Sequence, residues 1–281
     1  MTLREALAAG TRRLTEAGAE APARAARALL AEAAGIAADR LVPEAGSPLP
    51  DAARAAYDGY LDRHAAGEPV ARILGRRVFW GRDFAISPDV LDPRAETETL
   101  VARALDGPAP TRLLDLGTGS GVLAVTLLAE WPEACAVATD VSRAALAVAG
   151  RNARAHGVAD RLHLLASDWF GSVSGRFDLV VANPPYVTAA EMAELPRAVA
   201  GHDPHGALTP GGDGLSAYRA IAADAPGHLA AGGRLLVEIG WRQGADVAAI
   251  FRAAGLRDVA VHADMAGRDR VVSACSAAAG A

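Results

Sequence analysis

Apolar side chains recur at helical spacing through the first 66 residues and at strand-like spacing afterwards. Thr2 and Glu5 make a capping box around the start of an apolar run of Leu3, Leu7 and Leu14. Pro22 opens a second run, ARAARALLAEAAG, that Gly35 is placed to end. Ala53, Tyr57 and Leu61 stand four apart in a third helix, predicted over roughly 50–66. Together they predict a small helical bundle over residues 1–74. Over 75–93 the pattern changes. RRVFWGRDFAIS alternates around Gly81, with Phe79, Trp80 and Phe84, and predicts a β-hairpin linker.

From about residue 94 strands and helices alternate. Strands are predicted over 112–116, 134–139, 161–166, 177–182, 233–239, 257–263 and 269–275. Helices are predicted over 96–106, 121–130, 142–156, 215–230 and 243–254. Apolar strands separated by helices imply an α/β domain over 94–276, with a mostly parallel seven-stranded sheet covered on both faces. The last two strands, joined by DMAG, are expected to pair as an antiparallel hairpin. The Ala-rich tail after Cys275 is expected to be disordered.

Charge changes the list of partners. The chain carries 28 basic and 33 acidic residues, a net charge of −5, and so lacks the basic excess that many phosphate contacts require. No direct nucleic-acid binding is expected. No 18-residue apolar stretch is free of charge, so no membrane span is expected. The start, MTLREALAAGTRRL, lacks the apolar core of a signal peptide. Cys135 and Cys275, far apart in apolar runs, read as buried thiols in a reducing, cytoplasmic setting. His202 and His205 have no third ligand at metal-binding spacing, and no metal is expected.

The chemistry begins at LLDLGTGSGVLAV, where Gly117, Gly119 and Gly121 turn a strand into a helix. Glycines there permit a tight turn and a close backbone approach to a ligand. Asp140, at the tip of the next strand, is placed to accept from two ribose hydroxyls. Asp168 and Trp169 follow the third strand and suit an adenine pocket. The spacing is G-x-G-x-G, not the G-x-G-x-x-G of pyrophosphate sites, which points to a ligand without phosphate. S-adenosylmethionine, adenosine with a short amino-acid arm, fits.

The fourth strand, FDLVVA, stops on Asn183, Pro184, Pro185 and Tyr186. Prolines fix φ and carry no N–H. The Asn183 side-chain carbonyl and the Pro184 backbone carbonyl can then accept both hydrogens of one –NH2, with Tyr186 as a flat wall. Such a clamp orients an amide or exocyclic amine, whose lone pair is delocalised, and favours the positive charge that develops during attack. Glutamine amides and base amines both satisfy it.

These residues resemble the S-adenosylmethionine-dependent methyltransferases with an N-P-P-Y motif. The chain is more narrowly similar to the HemK/PrmC family, the peptide chain release factor glutamine N5-methyltransferases. VLDPRAETETLV, ATDVSRAALAVAGRNA, SDWF, GGDGLSAYRAI, GGRLLVEIGWRQG and DMAGRDRVV carry the likeness beyond the two motifs above. It implies a Rossmann-like methyltransferase sheet behind a helical substrate-recognition bundle. It implies that Gly117, Thr118, Gly119, Ser120, Gly121, Asp140 and Trp169 hold the cofactor, beside Asp168 and bordered by Asn183. It further implies that Asn183, Pro184, Pro185 and Tyr186 hold the glutamine of a release factor's Gly-Gly-Gln loop, with Asn183, Pro184 and Tyr186 serving the chemistry. The chain departs from the family pattern at Asp92, Ala95 and Asp203. A methyltransferase acting on adenine or guanine in DNA or RNA would use the same motif with a flipped base on Tyr186. A cofactor-binding scaffold without turnover is a third reading. A monomer is expected.

Overall fold

The computed structural model describes residues 1–195 and 201–277. The chain divides into two compact units, one over residues 1–76 and the other over 77–195 and from 203 onward. Of the tail expected to be disordered, 278–281 lie outside the described residues.

The first unit holds helices α1 (Leu3–Glu16), α2 (Pro22–Ala34), α3 (Asp51–Ala65) and α4 (Val70–Leu74). The α1 capping box forms in both directions: the Glu5 carboxylate accepts from the Thr2 N–H at 2.8 Å, and the Thr2 hydroxyl accepts from the Glu5 N–H at 3.3 Å. Leu3, Leu14, Leu29, Leu30, Tyr57 and Leu61 are buried together as the core of this unit. The one-turn α4 was not anticipated from the pattern; Pro69 precedes it and Gly75 ends it.

Then follow β1 (Arg76–Phe79), β2 (Arg82–Ala85), α5 (Glu98–Leu105), β3 (Arg112–Leu116), α6 (Val122–Glu130), β4 (Cys135–Asp140), α7 (Arg143–Ala155), β5 (Leu162–Ala166) and β6 (Phe177–Ala182). Two single turns, α8 (Ala189–Met192) and α9 (His205–Leu208), precede α10 (Ser216–His228), β7 (Leu229–Glu238), α11 (Gly244–Ala253), β8 (Arg257–Ala263) and β9 (Asp269–Cys275). The large sheet has the order β5-β4-β3-β6-β7-β9-β8. Pairing is parallel from β5 to β7 and antiparallel at β9, as the pattern predicts. Side chains alternate between the two faces. Leu113, Leu179 and Val181 pack with α5, α6 and the hairpin aromatics Phe79 and Phe84. Leu114, Val180 and Ala182 pack with Tyr218 of α10 and Phe251 of α11.

Two expectations need correction. β7 starts at Leu229, not at 233, because the register against β6 shifts between Phe177 and Leu179 and absorbs the Ala-Ala-Gly-Gly stretch. Cys135 is exposed and Cys275 half-buried. Cys135 begins β4 facing outward, while its neighbours Ala134 and Ala136 point into the core.

Buried Asn152 of α7 ties the hairpin to the glycine loop. Its Oδ1 accepts from the Ala85 N–H at 2.8 Å, and its Nδ2 donates to the carbonyls of Ala85 at 2.9 Å and Ser120 at 2.8 Å. Asn152→Ala strands these groups away from water and is expected to lower stability by about 2–3 kcal/mol. Denaturant unfolding checks this, and a midpoint equal to that of the wild type would contradict it.

Candidate active site

The order of strands reverses between β3 and β6, so the connections after β3, β4, β5 and β6 open on the same carboxyl edge around a switch point. A cleft of about 340 Å³ lies there. Of the residues singled out from the sequence, Gly117, Thr118, Gly119, Ser120, Asp140, Asp168, Trp169, Asn183 and Pro185 line it. Gly121, Pro184 and Tyr186 are not part of the lining.

The glycine loop takes its shape from local chemistry. Gly117, Gly119 and Gly121 have φ of +68°, +55° and +82°, a region L side chains rarely adopt. A Cβ on Gly121 would stand 3.0 Å from the Ala149 Cβ, so that position lets α6 start close against α7. Asp115, fully buried at the end of β3, holds the loop from behind. Its Oδ2 accepts from the Thr118 hydroxyl at 2.6 Å and from the Ala124 N–H at 3.2 Å. Burial pushes this carboxyl up to about 7, against the pull of those two hydrogen bonds.

Asp140 holds the loop from the front. Its Oδ2 accepts from the Gly119 N–H at 2.9 Å and its Oδ1 from the Ser142 N–H at 2.8 Å. Each carboxylate oxygen keeps a lone pair for a further donor, which suits the two hydroxyls of a ribose. Trp169 sits at φ +44°, held by a hydrogen bond from the Ser167 hydroxyl to its carbonyl at 3.0 Å, and a Cβ on Gly117 would approach its ring to 3.8 Å. The indole therefore lines the cleft beside the glycine loop as well as packing against the core. Among the described residues the lining carries three carboxylates, Asp89, Asp140 and Asp168, and no arginine or histidine. That set fits a ligand with hydroxyls and positive charge, as S-adenosylmethionine is, and suits a pyrophosphate poorly.

The N-P-P-Y segment is anchored from three sides. Asn183 donates from Nδ2 to the Thr97 hydroxyl at 3.2 Å. Among the described residues nothing donates to Asn183 Oδ1 or to the Pro184 carbonyl. Gln243, after β7, accepts from the Gly240 N–H and donates to the Tyr186 carbonyl, both at 3.0 Å. Gly214, at φ +74°, passes so near that a Cβ would stand 2.4 Å from that carbonyl. The Tyr186 phenol is pushed above its ordinary range by burial and then by the Glu238 charge, so it stays neutral.

Sequence reading missed Thr97, Gly214, Glu238 and Gln243. GGDGLSAY and VEIG were visible as family-like motifs, but without assigned roles. Two departures from the family pattern meet in one polar network. The buried Asp92 carboxylate pairs with Arg77, and the Asp203 carboxylate accepts from Arg94 at 2.7 Å and from the Asp92 N–H at 3.2 Å. The neighbours Leu91, Pro93 and Pro204 line the cleft, so this network fixes part of its wall.

The Methyltransferase small domain model matches residues 87–215, and the PrmC N-terminal domain model matches residues 5–75. A methyltransferase structure from Pyrococcus furiosus aligns with a TM-score of 0.55 at 16% identity, over 78% of this chain and 99% of that one, and shares the fold. The release factor glutamine methyltransferase of Agrobacterium fabrum is 39% identical over 97% of this chain and 96% of its own length. That of Cereibacter sphaeroides is 54% identical over 98% of both chains. The chain belongs to the release factor glutamine methyltransferase family.

Proposed function

We propose that the protein transfers a methyl group from S-adenosylmethionine to the side-chain amide nitrogen, N5, of the glutamine in the Gly-Gly-Gln motif of a class I peptide chain release factor. The observation that carries it is a pair of acceptors that no described residue engages, Asn183 Oδ1 on the wall of a cleft lined by carboxylates and the carbonyl of the next residue, Pro184. Family membership supports glutamine over a base amine, as does the net charge of −5.

Gly117, Thr118, Gly119, Ser120, Asp140, Asp168 and Trp169 would hold the cofactor, with Gly121 setting the loop behind them. When bound, the cofactor supplies a methyl group activated by its sulfonium. Asn183 and Pro184 take the two hydrogens of the amide and set its nitrogen in one orientation. Their oxygens stabilise the positive charge that grows on that nitrogen. Pro185 and Tyr186 wall the planar group, and the neutral phenol adds no charge. The proton leaves after attack, so a strong base at the nitrogen is not required.

Residues 1–74 would grip the release factor, 75–93 would link, and 94–276 would carry catalysis. The site of action would be the cytoplasm and the working form a monomer. Among the described residues no helix is long and apolar enough to cross a membrane. The test is methyl transfer from labelled cofactor offered to a purified release factor and, separately, to DNA and RNA. Label in the release factor alone is expected; label in nucleic acid alone would replace glutamine with a base amine.

A further inference from the structure

Beside the N-P-P-Y segment stands an exposed tryptophan that the mechanism above does not use. Just past β7, residues 240–243 form a tight turn closed on both sides. The Gln243 N–H donates to the Gly240 carbonyl at 2.8 Å, and the Gly240 N–H donates to Gln243 Oε1 at 3.0 Å. Gln243 Nε2 pins this turn to the Tyr186 carbonyl at 3.0 Å, and a Cβ on Gly240 would stand 3.3 Å from Tyr186 Cδ2. Trp241 and Arg242 are the two residues at the tip, and Trp241 is 49% exposed. The Arg242 guanidinium lies 4.3 Å from the centre of the Trp241 ring system, and that of Arg268, from the turn between β8 and β9, lies 5.9 Å from it. Met265, in that same turn, is fully exposed.

We propose that Trp241, Arg242 and Arg268 form a docking surface for the protein substrate, which seats an acidic side chain of the segment flanking the target glutamine. This inference rests on the reading of Asn183 and Pro184 as the amide clamp. An indole held half in water at the tip of a rigid turn adds little to the fold, and tryptophan and arginine are the residues that most often anchor a partner. Stacking on the indole leaves the edge donors of a guanidinium open, and such an edge matches a carboxylate. Among the described residues neither guanidinium has a hydrogen bond or an ion pair. The nearby acids are turned elsewhere. Asp264 Oδ1 accepts from the Ala266 and Arg268 N–H groups at 2.9 and 3.0 Å, and its Oδ2 faces Arg270 Nε at 3.5 Å. Asp269 Oδ2 lies against the start of α11, 2.6 Å from where a Cβ on Gly244 would be. The patch is thus locally positive in a chain of net charge −5.

Continuity with the clamp selects the occupant. The turn is bonded to Tyr186, so whatever it holds is chain next to the group that Asn183 and Pro184 hold. Two arginines around one aromatic ring suit a carboxylate on a peptide better than the long run of phosphates of a nucleic acid. The patch does not touch the reacting nitrogen, so its hold on the substrate is the same before and during transfer. Such uniform binding shows in KM and leaves kcat alone.

The test is steady-state methyl transfer to a purified class I release factor by the wild type, Trp241→Ala, and the double variant Arg242→Glu with Arg268→Glu. Trp241→Ala and the double variant are each expected to raise KM about tenfold or more, with kcat and cofactor Kd within about twofold. Trp241→Phe keeps an aromatic face for the guanidinium and is expected to hold KM within about threefold. A KM that neither variant moves overturns the proposal. So does a fall in kcat at unchanged KM, which would make the turn a support for Tyr186. A KM raised by Trp241→Ala but not by the charge reversal overturns the acidic contact. Fluorescence anisotropy with a short labelled single-stranded RNA supplies the other arm. RNA bound by the wild type and released by Trp241→Ala, with the release-factor KM unmoved, would give the patch to nucleic acid instead. If Trp241→Ala does not fold, the reversal of the two exposed arginines decides by the same readouts. A wild type that transfers no methyl group to a release factor sinks the proposed function itself, whereas transfer by the wild type with KM unmoved in the variants sinks this inference alone.

Discussion

Asn183→Ala is expected to bind the cofactor within about threefold of the wild type and to lose about 10² or more in turnover. The asymmetry follows from where the side chain stands. Asn183 lines one side of the cleft, whose glycine loop is held separately by Asp115 and Asp140. Its Oδ1 is one of two acceptors for the substrate amide, and an acceptor that strengthens with developing charge acts mostly on the transition state. Truncation leaves one hydrogen of the –NH2 unpaired and frees the nitrogen to rotate. Isothermal calorimetry for the cofactor and single-turnover methyl transfer separate the two effects. Cofactor binding lost in step with turnover would move Asn183 from the chemistry to the pocket.

Asp140→Ala is expected to act the other way, raising the cofactor Kd by about 10²-fold or more. Two hydrogen bonds to a charged acceptor are worth about 1.5–3 kcal/mol each. The same substitution releases the Gly119 and Ser142 N–H groups that its two oxygens now hold. The loop that would receive the cofactor loses its front anchor along with the ribose contact. Turnover at saturating cofactor should change much less, because Asp140 does not touch the amide clamp. Asp140→Asn, which keeps one acceptor oxygen, should fall between. An unchanged Kd in Asp140→Ala would remove Asp140 from the cofactor site.

The two buried acids also tie stability to pH. Asp115 and Glu238 both sit near 7, raised by burial above the ordinary carboxyl range. Their protonated forms are favoured in the folded state, so their contribution is full below the unfolded value and is lost as pH rises through about 7. The melting temperature is expected to fall as pH rises from about 4.5 to about 7 and to level off above that, and to fall less in Glu238→Gln. An identical slope in that variant would contradict the burial account of Glu238.

Local features were legible in the sequence where the chemistry is local. The bounds of β3, β6, β8 and β9 follow from runs of apolar and β-branched residues between turn signals. The glycine loop, Asp140 and Asn183 each sit within a few residues of a strand end, so a linear motif is enough to place them on one edge. Thr97 could not be read this way. It stands 86 residues before Asn183, and only the pairing of β3 with β6 brings them together. Glu238 reads as one more residue in an apolar strand until β7 is placed beside β6. The early start of β7 was hidden because Ala-Ala-Gly-Gly looks like a loop, and only the register shift keeps it in the sheet. Cys135 was misread because the face of a strand's first residue depends on how its neighbours are set.

The most direct measurement is tandem mass spectrometry of a class I release factor after incubation with the protein and S-adenosylmethionine, with the methyl group located to the residue and the atom. The account predicts one methyl group on the N5 nitrogen of the Gly-Gly-Gln glutamine, absent when that glutamine is replaced and sharply reduced with Asn183→Ala. A methyl group on another residue, or one that survives replacement of the glutamine, would contradict it.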